Sequence, residues 1–166
     1  MPSIVIVGGG AAGLIAAVTA AENGATVTLL EGNEKLGKKL YITGKGRCNC
    51  TNLCTPEAFR QNVVRNPRFL YSALEALPPE ALLQKLEAWG CPTVVERGNR
   101  AFPASQKASD VTRALERQLQ RLGVRVRLNS RVKGISVSQG QVSAVTLANG
   151  EVLPADAVIV CTGGVS

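Results

Sequence analysis

The chemistry this chain announces first is carried by glycine. Gly8, Gly10 and Gly13 stand in the spacing G-x-G-x-x-G, with Ala11 and Ala12 between the last two. An acid, Glu31, followed by Gly32, comes about twenty residues further on. That order suits a dinucleotide pyrophosphate. Gly8 lets the chain turn sharply off a strand. Gly10, with no Cβ, lets backbone approach the phosphates, and Gly13 lets the following helix pack close to the strand. The helix N-terminus adds unpaired N–H groups and the positive end of its dipole. Glu31 is the type of residue that accepts hydrogen bonds from ribose hydroxyls. Its negative charge also argues against a 2′-phosphate at this site. The motif does not choose between FAD and NAD.

Other chemistry is constrained by composition. The chain has no histidine, which removes Ser-His and Cys-His nucleophile pairs and the commonest metal ligand. Its five cysteines are Cys48, Cys50, Cys54, Cys91 and Cys161, an odd count at irregular spacing. That is no secreted disulfide framework, and reduced thiols are expected. Cys48, Cys50 and Cys54 would need a fourth ligand such as Cys91 to hold a metal. Their spacing matches no common zinc pattern, so no metal is expected. Nor is Cys48-Asn49-Cys50 the Cys-x-x-Cys of a thiol exchange pair. Packing or contact with a bound cofactor is expected of Cys48. A cofactor must then bring the reaction chemistry, and no catalytic acid or base is assigned.

The elements around the glycines fit this reading. Ile4–Val7 predicts a buried strand, Leu14–Glu22 a helix stopped by Asn23-Gly24, and Ala25–Leu30 a second strand. Later, Val124–Leu128 predicts a third parallel strand. Arg131–Val137, Gln141–Leu147 and Glu151–Leu153 predict an antiparallel meander with a hairpin turn at Asn149-Gly150, and Ala157–Val160 predicts a further buried parallel strand. Between the second and third strands lies an insertion at about 53–107. It carries a helix from Pro78-Pro79 to Trp89 and two short strands, Thr93–Glu96 and Arg100–Phe102, turning at Gly98-Asn99. A helix over Ser109–Leu122 follows, with Val111, Ala114, Leu115, Leu119 and Leu122 on one face. The fold class is therefore α/β: a Rossmann-like parallel sheet with helices on its faces, an antiparallel meander and an α/β insertion.

The 166 residues suffice for one domain with a real core, and 45% of them are apolar. The net charge of +7 is concentrated between Arg97 and Lys133. Arg113, Arg117 and Arg121 recur at helical spacing opposite the apolar face, which predicts a solvated surface and no specific nucleic-acid partner. No apolar run reaches membrane-span length, and the opening stretch lacks the basic start of a secretory signal. No membrane association is expected, and the cytoplasm is the expected compartment. The sequence does not speak to oligomeric state.

The segment from Gly32 to Asn52, GNEKLGKKLYITGKGRCNCTN, is long, polar and glycine-rich. Leu36, Leu40, Tyr41 and Ile42 give it apolar anchors, so an ordered, ligand-facing loop is expected. Gly44 and Gly46 permit close backbone approach. Lys38, Lys39, Lys45 and Arg47 have the charge to balance phosphate.

The opening VGGGAAGLIAA, the stretch LGKKLYITGKGRCNCTN and the stretch NRAFPASQKASDV resemble the BaiN/RdsA family of NAD(P)/FAD-dependent oxidoreductases over essentially the whole chain. The pattern GxGRCNxTN, at Gly44, Gly46, Arg47, Cys48, Asn49, Thr51 and Asn52, is its most specific element. The resemblance implies a glutathione-reductase-like FAD domain, with this loop lying along FAD and reaching toward the isoalloxazine. It implies cofactor contacts at Thr162, Gly163 and Gly164, and adenine held by backbone near Val132. Lys45 stands where relatives often carry glycine. The family continues well beyond this length, so the sequence is expected to be the N-terminal FAD-binding part, without the substrate domain and a second flavin-binding stretch. It should then hold FAD weakly and be inactive alone. The implied whole protein is an oxidoreductase moving hydride or electrons between a small-molecule substrate and a nicotinamide, oxygen or another acceptor, with NAD(P)H as a donor. A non-catalytic flavin- or nucleotide-binding module, or a tRNA-modifying flavoprotein, is the other function class.

Overall fold

The computed structural model describes residues Met1–Gly164, in two compact units: Met1–Leu40 with Leu115 onward, and Tyr41–Ala114.

The first unit is built on a parallel sheet. Strand β1 (Ser3–Val7) is apolar and β-branched, so it fills a central position buried from both sides. It pairs with β2 (Thr26–Leu30) on one side and β10 (Ala157–Val160) on the other, and β2 pairs with β6 (Arg125–Arg127). The order β10-β1-β2-β6 returns the last strand beside the first. Helix α1 (Ala11–Glu22) crosses from β1 to β2 and buries Leu14, Ala17 and Val18 against this pair. Strand alternation turns Val5 and Val7 to the opposite face. There they form a core with Leu30, Val145, Leu147 and Ala155. That face is covered by the antiparallel meander β7 (Val132–Ser138), β8 (Gln141–Leu147) and β9 (Val152–Pro154). A side-chain ion pair from Arg127 to both oxygens of Glu151, at 2.6 and 2.7 Å, links β6 to the meander.

The second unit has a three-stranded antiparallel sheet ordered β3 (Thr51–Asn52), β5 (Arg100–Pro103), β4 (Thr93–Glu96). Three short helices accompany it: α2 (Pro56–Gln61), α3 (Tyr71–Ala76) and α4 (Pro79–Ala88). Proline occupies the first turn of α2 and α4, where its missing N–H costs nothing. Helix α5 (Ala108–Arg121) begins in this unit and ends in the first. Phe102, Ala101, Cys48, Cys91 and Leu86 are buried in the core of the second unit.

The parallel sheet, the meander and the insertion between adjacent strands β2 and β6 agree with the α/β class expected from sequence. The compact insertion unit extends beyond about 53–107 at both ends. The Cys50 N–H bonds the Ala101 carbonyl at 2.9 Å and Thr51–Asn52 pair with β5, which draws the preceding loop into this unit. Helices α2 and α3 were not anticipated. At six residues each they are too short to show a helical period. Arg113, Arg117 and Arg121 are exposed on α5, while Val111, Ala114, Leu115 and Leu119 are buried.

Candidate functional site

In the first unit, β1 ends in a turn that three glycines fit in different ways. Gly8 adopts φ +107°, a region L side chains rarely enter, and a Cβ there would run into the Cys161 carbonyl. A Cβ at Gly9 would strike Leu36, and one at Gly13 would overlap the Gly8 carbonyl. Gly10 differs: among the described residues nothing lies within 4 Å of where its Cβ would be. Gly10 is also the N-cap of α1, with no side-chain capping bond and no acid in the first turn. The Leu14 N–H is the first to bond back within the helix, to Gly10 at 2.9 Å. The start of α1, from Ala11 to Gly13, therefore presents N–H groups that an intrahelical bond does not satisfy.

The Glu31 carboxylate ends β2 and is only 9% exposed. One oxygen accepts the Gly9 N–H at 2.7 Å; the other accepts the Asn33 N–H at 2.8 Å and its side-chain amide at 2.7 Å. Glu31 thus braces the glycine turn from below, and Asn33 fixes the angle of the carboxylate. The Gly37 N–H bonds the Gly9 carbonyl at 2.8 Å, which ties the loop after β2 to the same turn. Sequence reasoning did not single out Gly9 or Asn33, and read Leu36 only as an apolar anchor of the loop. An amide two residues after the acid was the available signal for Asn33.

Several other expected residues gather here. A Cβ at Gly163 would lie 3.9 Å from the Lys39 ammonium, so Lys39 stands beside Gly163, just past the end of β10 and between Thr162 and Gly164 in sequence. Gly32 is in ordinary contact range of Arg131, which precedes Val132 at the start of β7. The Val132 side chain is half-buried and packs on the meander core. Lys38 instead pairs with Glu34 at 2.9 Å and donates to Asn33 at 3.3 Å.

Gly44, Gly46, Arg47, Cys48 and Asn49 lie together in the second unit. Gly44 and Lys45 are consecutive left-handed residues at φ +57° and +59°, and a Cβ on Gly44 would collide with Phe102. Arg47 is turned inward. Its guanidinium bonds Glu96 at 2.8 Å, Gln106 at 2.7 Å and the Gly44 carbonyl at 3.2 Å, and it lies 4.1 Å over the Phe102 ring. Cys48 is fully buried, and the Asn49 amide reaches the Ala101 and Thr51 carbonyls. Arg47 and Cys48 hold the loop; what it exposes is Ile42, Thr43, Lys45, Gly46 and Asn49. Hydrogen bonds from Cys50 and Thr43 hold the Cys48 thiol below the ordinary thiol range, against burial. Cys50 is pushed far above it, by its bond to Cys48 first and by burial second. Burial raises Cys161. Among the described residues no cluster of three or more Cys, Asp or Glu side chains has the arrangement to hold a metal ion.

The HI0933-like protein Rossmann domain family matches residues 2–166. The chain belongs to this family. Over 99% of its length it is 35% identical to the 3-dehydro-bile acid delta(4,6)-reductase of Clostridium scindens. Over 98% of its length it is 30% identical to the ribosomal RNA dihydrouridine synthase of Haemophilus influenzae. It spans 39% and 40% of the lengths of these two relatives. Among solved structures, the family's fold recurs in the 3-ketosteroid-delta4-(5alpha)-dehydrogenase of Rhodococcus jostii RHA1, with TM-score 0.70 and 18% identity over 97% of this chain and 45% of that one. It recurs also in a flavocytochrome c3 fumarate reductase, with TM-score 0.69 and 21% identity over 98% of this chain and 34% of that one.

Proposed function

We propose that this HI0933-like domain binds FAD, and that the whole protein is a flavin-dependent oxidoreductase. The observation that carries the reading is the uncapped start of α1 beneath the open space at Gly10. A pyrophosphate there meets the N–H groups from Ala11 to Gly13 and the positive helix end. Glu31, held by Asn33, faces the adenosine ribose, and the backbone at Gly32 and Val132 flanks the adenine. Lys39 with Thr162–Gly164 supplies charge and backbone farther along the cofactor. Bound FAD supplies the two-electron chemistry; the residues described here bind and orient it.

The two curated relatives suggest a substrate class. Reducing a bile-acid diene conjugated with a 3-ketone and forming dihydrouridine from uridine both saturate a carbon–carbon double bond conjugated with a carbonyl. We assign that class to the whole protein, as a small-molecule enone in the cytoplasm with NAD(P)H as donor. Uracil in RNA is the second reading, favoured by the ribosomal RNA relative and the net charge of +7. FAD titration of the wild-type chain and of Gly10→Leu tests the cofactor; equal affinity would overturn it. NAD(P)H oxidation by the whole protein, with a steroidal enone and with ribosomal RNA fragments in turn, tests the substrate. Dependence on RNA alone would select the second reading.

A further inference from the structure

A carboxylate has about four lone-pair sites for hydrogen bonds. At Glu31 three of them are filled by donors of this chain. Oε1 takes both the Asn33 N–H at 2.8 Å and the Asn33 side-chain amide at 2.7 Å, and Oε2 takes the Gly9 N–H at 2.7 Å. That leaves one site, on Oε2. The carboxylate has little freedom to turn and offer more. Glu31 is buried, its N–H bonds the Arg127 carbonyl at 2.9 Å, and its carbonyl accepts the Ser130 N–H at 2.8 Å. Asn33 is held as firmly. Its carbonyl accepts the Asn129 N–H at 2.9 Å, and its side-chain oxygen accepts from the Lys38 ammonium at 3.3 Å. An ammonium only donates, so Lys38 fixes which end of the amide is oxygen and leaves the NH2 end for Glu31.

We propose that Asn33 is a specificity-determining residue for the adenosine ribose: by filling Oε1 it leaves Glu31 able to accept one ribose hydroxyl and not two. The inference rests on the FAD reading above. A carboxylate with all its sites free can take both hydroxyls of a ribose, one on each oxygen. Here the second hydroxyl meets an Oε1 already bonded to two donors, and would have to displace one of them. Displacing a donor from a buried charged group costs about as much as the new bond returns. Asn33 acts through Glu31 and is thus a positioning residue. The site distinguishes nucleotides by a single hydroxyl, and the other hydroxyl adds nothing at Glu31. Removing the Asn33 amide, while its backbone N–H stays, returns one site on Oε1 and opens the carboxylate to both hydroxyls.

The test is isothermal titration calorimetry of the flavin-free whole protein with FAD, ADP, 2′-deoxy-ADP, 3′-deoxy-ADP and 2′,3′-dideoxy-ADP. One monodeoxy nucleotide should bind within about twofold of ADP, and the other should be weaker by at least about tenfold, as weak as the dideoxy form. In Asn33→Ala both monodeoxy nucleotides should bind more weakly than ADP, a change of pattern that lost stability alone does not produce. In the wild-type protein, both monodeoxy nucleotides weaker than ADP, or neither, would overturn the proposal. So would an Asn33→Ala protein that still reads one hydroxyl. Any of these results with FAD bound would overturn this inference alone, whereas no binding of FAD or ADP would overturn the FAD reading with it. If Asn33→Ala does not fold, the wild-type series still decides, because it counts the hydroxyls that are read.

Discussion

In the first unit the turn from Gly8 to Gly13 is held by what its glycines lack. Gly8, Gly9 and Gly13 lie where a Cβ would meet the Cys161 carbonyl, Leu36 and the Gly8 carbonyl, and only Gly10 opens to space. In the second unit the turn from Thr43 to Cys48 is held by what its side chains add. Arg47 gathers Glu96, Gln106 and the Gly44 carbonyl over the Phe102 ring, and a buried Cys48 anchors the end. Both turns are glycine-rich and basic residues follow or flank both, yet the first is backbone packed on backbone and the second is backbone strung from a cation. In the first, tolerance to substitution should therefore differ sharply from one glycine to the next. In the second it should depend on one arginine.

The largest effect is expected at Gly13. Its Cβ would overlap the Gly8 carbonyl, which is backbone and cannot swing away. Gly13→Val should cost more than about 4 kcal/mol, at the severe end for single substitutions, and leave the first unit unfolded by circular dichroism. A cooperative, near-wild-type urea transition would show that the helix and strand do not need this close approach.

Gly10→Leu should do the opposite. Its side chain enters open space, so stability should stay within roughly 1 kcal/mol. FAD affinity should fall at least about tenfold, the equivalent of ~1.4 kcal/mol, by flavin fluorescence quenching. If Gly10→Leu and Gly13→Val behaved alike, the contrast within the turn would be broken.

Arg47→Ala in the second turn should cost about 1–3 kcal/mol, the range for losing hydrogen bonds to a charged group. The lower half of that range is expected, since Arg47 and Glu96 side chains are each 33% exposed. Arg47→Lys should recover little of it, because an ammonium cannot reach several acceptors in one plane. The same measurement on Gly44→Ala should give a loss of similar size, from the left-handed backbone and the Phe102 contact. Full rescue by lysine would show that the turn needs only charge.

The smallest effect belongs to a pair outside both turns. Arg127 holds the Glu151 carboxyl below the ordinary carboxylate range by hydrogen bonding. A carboxyl with a lowered folded-state pKa stabilises above its unfolded pKa and loses that contribution as pH falls through the folded one. Glu151→Gln should thus be slightly less stable than wild type at neutral pH, and the gap should close in acid. Urea midpoints at pH 7 and pH 3 check it; a constant gap would mean the pair contributes packing and not charge.

Much of the first unit was legible in the residues. The β-branched run at Ile4–Val7, the Asn23-Gly24 stop, the Asn149-Gly150 turn and the apolar run at Ala157–Val160 are local signals, and each element formed where they predicted, although Ala157–Val160 lies at the sheet edge and is largely exposed where a buried strand was expected. The glycine spacing and Glu31 mark a site because those residue types have few other reasons to stand in that order. The loop from Gly32 to Asn52 was legible only as important. That its Arg47 turns inward depends on Glu96, Phe102 and Gln106, about fifty residues away in sequence. A basic residue in a glycine-rich loop looks the same in sequence whether it meets a phosphate or a buried carboxylate.

By itself, then, the sequence determined the parallel-strand framework, the position of the glycine turn and the absence of histidine, because backbone propensity and side-chain inventory are local properties. Only the tertiary structure decided which glycine is open, and that Glu31 braces Gly9 through a carboxylate steadied by Asn33. Those depend on which carbonyls, rings and carboxylates arrive from distant strands, and local sequence carries no record of the distances at which they arrive.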